Sequence, residues 1–137
     1  MTNRILYHGT TLKNALSIVA NGFDMSLAGS KSNAALPGIS TTIEKEVAID
    51  HANWAVKKFK GKPAIVACES GNLKILSGNR YMTLWDSLGS SDAALEKAKS
   101  SNYDGAEMFD LESGEGIEEY EVLLFHPEKC NWFIASS

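Results

Sequence analysis

The opening stretch ILYHGTTLKNALSIVANG, residues 5–22, decides the fold class because it passes from a strand pattern to a helix pattern within one turn. The residues up to His8 are apolar and favour a strand, and Thr10 and Thr11 both suit the N-cap of a helix. Leucine, alanine and valine then recur at helical spacing until Asn21-Gly22, which is a good helix stop. The chain therefore begins with a strand, a tight turn and a helix.

The rest of the 137-residue chain predicts short strands and two further helices. The apolar and turn patterns place strands at 39–42, 64–68, 72–76, 106–109, 119–125 and 132–135, helices before Gly61 and over 92–99, and irregular segments at 24–38 and 77–91. These helices are too few to cover both sides of a doubly wound sheet. The sequence therefore predicts an α+β class with mostly antiparallel pairing.

Composition indicates one globular domain over residues 1–137. The chain is 44% hydrophobic and 22% charged, and no apolar run approaches the length of a membrane span. The first seven residues lack the apolar core of a signal peptide. Cys68 and Cys130 match no metal or disulfide framework, which favours a reducing cytoplasm.

Charge is divided unevenly between the two halves of the chain. Residues 1–63 hold eight Lys/Arg against four Asp/Glu, whereas residues 64–137 hold five against thirteen, and residues 100–127 include eight acids and no Lys or Arg. This balance argues against a protein that coats nucleic acid. It allows an anion site in the first half and a basic partner surface near the second.

Two short segments have side chains suited to binding a nucleotide. In Tyr7-His8-Gly9-Thr10, the glycine lets a ligand approach the backbone, and His8 at a strand end can donate a hydrogen bond to a ribose hydroxyl. In Ser40-Thr41-Thr42, three hydroxyls could orient a carboxylate or bind a ribose. The alternative for each is structural, namely a capped turn and a helix N-cap that needs only one hydroxyl.

Two further candidates are acids on a strand and a histidine on a helix. Alternation places Glu119 and Glu121 on one face of a strand, and that face becomes apolar at Leu123. Carboxylates at the border of an apolar face are typical of a cleft mouth, although two solvated acids at a strand end would look the same. His51 lies beside an apolar helix face, so it is either a boundary residue or a ligand contact.

Taken in chain order, three segments resemble ADP-ribosyltransferases of the His-Tyr-Glu type, in the small stand-alone bacterial or phage form with the diphtheria-toxin-type fold. The first is Tyr7–Thr10 with the helix that ends at Asn21-Gly22-Phe23. The second is Gly38-Ile39 followed by residues 46–52, and the third is Tyr103-Asp104-Gly105 followed by Glu121–Pro127. The resemblance implies two mostly antiparallel sheets that form a split β core around an NAD cleft.

The resemblance also implies roles for the matched residues. His8 would hydrogen-bond a ribose of NAD, the Gly9 backbone would hold the nicotinamide carboxamide, and Thr10 would complete this turn. Glu121 would be the catalytic carboxylate. Glu119 is similar to the first acid of the Glu-X-Glu pair in the arginine-specific branch, where that acid activates the acceptor. Both carboxylates and His8 are therefore assigned to catalysis.

The second region departs from the His-Tyr-Glu branch at three positions. Ser40 stands where that branch has its tyrosine, His51 stands where it has a second stacking aromatic, and Ala48 stands where a hydroxyl binds the carboxamide. Ser40 and Thr41 instead look like the Ser-Thr-Ser segment that orients the catalytic acid in the arginine-specific branch. The resemblance thus assigns Ser40, Thr41 and His51 to the cofactor site.

The implied activity is mono-ADP-ribosyl transfer from NAD, without a metal, to a protein acceptor whose basic surface would complement the acidic segment. Alternatives are modification of a small molecule, as by the similar rifamycin ADP-ribosyltransferases, and RNA 2'-phosphotransfer, which would need more basic residues at the site. A non-catalytic binding module is a further alternative. The transferase interpretation requires His8 and Glu121 to face a shared pocket.

Overall fold

A computed structural model describes residues 4–23, 38–109 and 120–136. Its strands are β1 Ile5–Thr11, β2 Ile39–Thr42, β3 Pro63–Glu69, β4 Ile75–Leu76, β5 Gly105–Phe109, β6 Tyr120–Leu124 and β7 Phe133–Ser136. Its helices are α1 Leu12–Asn21, α2 Lys45–Phe59, α3 Gly78–Leu88 and α4 Ser91–Ser100, and a single 3-10 turn spans Pro127–Lys129. The predicted α+β class is confirmed. None of the helices in these ranges is long and apolar enough to cross a membrane.

The strands form one mixed seven-stranded sheet in the order β4-β5-β6-β2-β1-β3-β7. The described pairings are antiparallel except β4 with β5, so the expected mostly antiparallel pairing is confirmed. The expected division into two sheets is not found among the described residues, because β2 pairs with β6 on one edge and with β1 on the other. Strands β1 and β2 are nevertheless joined by few residue pairs. Their described pair is Tyr7↔Thr42, whereas β1 and β3 share seven pairs.

The two faces of the sheet carry separate hydrophobic clusters. On the first, here called the α1 face, Leu6, Val66 and Val122 pack with Ala15 of α1. On the second, the α2 face, Leu123 packs with residues of α3 and α4. Because successive residues of a strand point to opposite faces, this arrangement explains why several strands are apolar at odd and even positions alike.

The strand expected to end at His8 continues through Gly9 to Thr11, so the predicted tight turn before α1 is wrong, and helix α2 lies directly against β1 at Gly9. A Cβ atom at this position would be 2.0 Å from the carbonyl oxygen of Ala48 and 2.6 Å from the nitrogen of Ala52. Both alanines are buried, and their small side chains let the helix backbone approach the strand. The sequence predicted a ligand close to the Gly9 backbone; on the side where a Cβ would project, the structure has helix α2 instead.

The segment 77–91 was expected to be irregular, and this prediction is wrong because most of it forms α3. The Ser77 hydroxyl accepts a hydrogen bond from the backbone N–H of Arg80 at 3.3 Å and caps the first turn. Tyr81 is buried and its ring meets that of Trp85 edge to face. Gly89 ends the helix with a positive φ of 85°, which glycine adopts without strain.

Candidate functional site

The imidazole of His8 bridges the narrow junction between β1 and β2. Its Nδ1 lies 3.0 Å from the backbone carbonyl oxygen of Ser40. A carbonyl oxygen can only accept, so Nδ1 carries the proton and donates this bond, which leaves Nε2 with a free lone pair while the ring is neutral. On the α1 face, the His8 ring meets Phe23 edge to face at 5.6 Å, and Phe23 meets Trp132 at 5.1 Å.

Electrostatics keep the His8 ring neutral. Burial of the imidazole lowers its pKa from 6.5 to about 4, the Ser40 carbonyl partly opposes this shift, and the charge of His51 adds to it. At neutral pH, Nε2 is therefore a hydrogen-bond acceptor. His8 was predicted to donate a hydrogen bond to a ribose hydroxyl. With its only proton on Nδ1, it would instead accept a hydrogen bond from that hydroxyl at Nε2.

The threonine hydroxyls of the predicted cofactor site already have partners within the protein. Thr41 is fully buried and donates from Oγ1 to the carbonyl oxygen of Val122 at 2.8 Å. The Thr10 hydroxyl accepts a hydrogen bond from the Asn14 amide at 3.4 Å. These bonds give both residues a structural role in holding β2 on β6 and α1 on β1. Their assignment to NAD binding stays a prediction.

Glu121 lies in a row with Tyr7 and Thr42 that crosses three neighbouring strands. Thr42 pairs with Tyr7 on one side and with Glu121 on the other, so the three side chains share the α2 face. Glu121 is partly buried. Burial raises the pKa of Tyr81 on α3, and the charge of Glu121 adds to that rise, so the carboxylate lies within electrostatic range of α3.

His8 and Glu121 are close along the sheet but lie on different faces of it, so the expectation that they face one shared pocket is not met in the described part of the chain. Their strands are two spacings apart, about 10 Å. His8 alternates with Tyr7 and contacts the α1-face residue Phe23, whereas Glu121 shares the α2 face with Tyr7. In the described part of the chain, no backbone pair joins β1 and β2 beyond Tyr7↔Thr42, so the sheet is held there by the His8–Ser40 bond.

The remaining predicted site residues are placed less centrally. His51 is exposed on α2, within electrostatic range of His8. Glu119 lies outside the described residues, as does most of the acidic segment before it, and its role stays a prediction. The structure thus joins His8 to Ser40, leaves His51 exposed on the helix that packs on the opposite face of β1, and holds Glu121 on β6.

His8 and Glu121 line neither of two cavities formed by residues in the ranges 4–23, 38–109 and 120–136. One, of about 290 Å³, lies on the α1 face and has Arg4 and Glu107 on its wall. The other, of about 460 Å³, lies at α3 and α4 and has three basic residues on its wall. Neither cavity can be predicted from the sequence, because the residues of each come from separate elements that only the tertiary structure brings together.

Among the described residues, no group of three histidine, cysteine, aspartate or glutamate side chains could hold a metal ion. No protein-family model matches the chain, and no curated protein matches it.

Proposed function

We propose that the chain is a mono-ADP-ribosyltransferase that takes ADP-ribose from NAD, transfers it to a protein acceptor in the cytoplasm and releases nicotinamide. The ordered resemblance of three segments suggests this activity. One observation carries it furthest: β2 stands between β1 and β6, so Tyr7–Thr10 and Glu121 come within two strand spacings of each other. The segments that the resemblance pairs at an NAD site are therefore neighbours.

The chemistry requires little more than an anionic group beside the sugar. The bond between nicotinamide nitrogen and ribose C1' breaks, the sugar becomes oxocarbenium-like, and the acceptor forms the new bond at C1'. The Glu121 carboxylate would stabilise the developing positive charge. Nicotinamide leaves as a neutral molecule, so no strong acid is needed. The acceptor's proton would pass to Glu119, and His8 would accept a hydrogen bond from a ribose hydroxyl at Nε2.

The proposal requires one NAD molecule to reach both faces of the sheet. Any such path would have to lie where the described residues show no backbone pair between β1 and β2, on the Gly9 side of Tyr7↔Thr42, and α2 would have to move away from Gly9 there. There the His8–Ser40 bond is the described link between the strands. NAD binding at this position would exchange or share that hydrogen bond.

A second candidate function is a binding module that holds a ligand without turnover. The observation in its favour is the separation of His8 and Glu121 onto opposite faces of the sheet. Ala48, which stands in place of a carboxamide-binding hydroxyl and packs on Gly9, agrees with it. In this case His8 would contact ligand while Glu121 would not.

Nicotinamide release from NAD distinguishes the two candidates. For a transferase, the purified chain releases nicotinamide above a protein-free blank, and E121Q keeps the fold but lowers the rate at least about a hundredfold. The matched control is E107Q, because Glu107 pairs with Val122 in the next ladder position and faces the opposite side; its rate should stay within about twofold of the parent.

Three results would contradict the assignment. Binding of NAD by calorimetry without nicotinamide release identifies the binding module. Neither binding nor release refutes both candidates, and near-normal release by E121Q refutes the role of Glu121. Mass spectrometry of lysate proteins after incubation with NAD then separates a protein acceptor from a small-molecule acceptor, which would leave proteins unmodified.

A further inference from the structure

A cavity of about 460 Å³ lies between β4, α3 and α4, and three strands separate β4 from the strand that carries His8. Its floor is apolar, with Leu76 and Ala98 both buried, and Leu84 completes it. Lys74, Arg80 and Lys97 line its wall. This space is here called the α3–α4 cavity.

Tyr103 holds two of these cations at the cavity. Arg80 donates from Nη1 to the Tyr103 hydroxyl at 3.4 Å, and the Lys74 ammonium lies 4.5 Å from the centre of the Tyr103 ring. The cation–π contact and the hydrogen bond direct both side chains toward the same wall. The remaining guanidinium donors of Arg80 are available to a ligand.

Among the described residues, the three cations of the α3–α4 cavity have no ion-pair partner. None of the cavity-lining residues is acidic, and no ion pair there engages Lys74, Arg80 or Lys97. The carboxylate of Asp104 instead accepts from the backbone N–H of Lys74 at 2.7 Å.

Arg80 lies in the first turn of α3, where the helix dipole is also positive. Three exposed cations that line one cavity give it a positive local potential. The arrangement therefore favours binding of a multiply charged anion.

The volume and floor of the cavity specify the rest of the ligand. A cavity of this size is within the range of small-molecule sites, about 300 to 1,000 Å³, and holds more than a single phosphate ion. Lysine and arginine together are the usual partners of phosphate oxygens. The apolar floor suits a ring or another apolar group attached to that phosphate.

We propose that the α3–α4 cavity binds a phosphomonoester with a planar or apolar organic group, whose phosphate is held by Lys74, Arg80 and Lys97. This site is separate from the proposed NAD site and does not depend on ADP-ribosyl transfer.

Calorimetric titration of the full chain at low salt tests this proposal with three probes: adenosine 5'-monophosphate, inorganic phosphate and adenosine. The monophosphate should bind at least about tenfold more tightly than phosphate, and adenosine should not saturate. R80Q and K97Q should each lower affinity for the monophosphate about tenfold or more, because each removes charge-assisted bonds. The control K13Q removes one charge from the exposed face of α1 and should change affinity less than twofold.

Four outcomes would overturn the proposal. The first is no saturable binding of the monophosphate at millimolar concentration, and the second is equal binding of adenosine. The third is an equal effect of K13Q and R80Q, which would show that net charge alone attracts the anion. The fourth is loss of binding in His8→Asn with no change in R80Q and K97Q, which would place the monophosphate at the proposed NAD site.

Discussion

At the scale of single residues, His8 combines a structural bond with a suppressed charge. Its Nδ1 proton holds the Ser40 carbonyl, and burial keeps the ring neutral with a pKa of about 4. Below pH 6.5 the histidine of the unfolded chain binds a proton, whereas His8 of the folded chain stays neutral until the pH approaches 4. Protonation therefore favours unfolding as the pH falls from 6.5 toward 4.

We expect this linkage to lower the free energy of unfolding by on the order of 2 kcal/mol between pH 6.5 and 4, since His8 keeps some solvent contact. Urea unfolding at several pH values measures it. His8→Asn keeps a donor for the Ser40 carbonyl but cannot titrate, so its stability should depend less on pH over this interval. Equal pH dependence of the two proteins would contradict the prediction, as would an NMR titration midpoint for His8 near 6.5.

Gly9 illustrates how far packing constrains one position. Gly9→Ala places a methyl group against the backbone of α2 at Ala48. Because backbone atoms cannot move aside as a flexible side chain does, we expect a loss of at least about 2 kcal/mol in the free energy of unfolding. Urea denaturation measures this loss.

Gly89→Ala is the comparison for Gly9→Ala. Gly89 has no atom near its missing Cβ but has a positive φ of 85°, so its substitution should cost about 1 kcal/mol from backbone strain alone. A Gly9→Ala cost no larger than the Gly89→Ala cost would show that α2 adjusts its position.

At the scale of elements, α3 shows why local patterns are insufficient. Its N-cap is Ser77 and its C-cap is Gly89, yet the segment was expected to be irregular. The helix begins with Gly78-Asn79, both of low helix propensity, and burial of Tyr81 against the sheet overrides them. The helix forms because its apolar side has a surface to cover, which a local pattern does not report.

The N-cap of α3 is directly testable. Ser77→Ala removes the acceptor for the Arg80 backbone N–H and should lower the free energy of unfolding by about 1 kcal/mol in urea denaturation. Ser87→Ala, an exposed substitution within the same helix, should be neutral or slightly stabilising. If both substitutions have the same effect, the cap does not stabilise the helix.

The sequence could not predict which site residues share a face of the sheet, because that depends on the register between strands. Alternation along one strand correctly placed Glu121 on the face of Leu123, which packs beneath α3 and α4. Whether Glu121 also shares a face with His8 depends on the pairing across β2, and a shift of one residue there reverses the answer. The observed pair Tyr7↔Thr42 places them on opposite faces.

At the scale of the whole molecule, the α+β class and most strand positions follow from hydrophobic alternation and turn residues. The joining of all seven strands into one sheet does not, because it depends on β2 pairing at both edges. Likewise, the α3–α4 cavity takes its cations from separate elements and lies in the half of the chain with a net negative charge. Net charge over a segment therefore did not predict where its positive surface lies.

Glu119, within the acidic segment, has a proposed role toward the acceptor that can be tested separately from NAD cleavage. If Glu119 activates the acceptor, Glu119→Gln should reduce ADP-ribosyl transfer to protein more than it reduces NAD hydrolysis by water. Labelled NAD measures both products in one reaction. Equal losses in both would remove Glu119 from the acceptor side.

The single pair between β1 and β2 divides the sheet into β1-β3-β7 and β4-β5-β6-β2. Separating these two blocks breaks this pair, the His8–Ser40 bond and part of the α1-face packing but leaves every other described ladder intact, so we expect thermal opening of the sheet to begin between them. Amide hydrogens near Tyr7 and Thr42 should consequently exchange with deuterium sooner than those shared by β1 and β3. The opening of the sheet that requires the least free energy would then expose the segment at which NAD is proposed to bind.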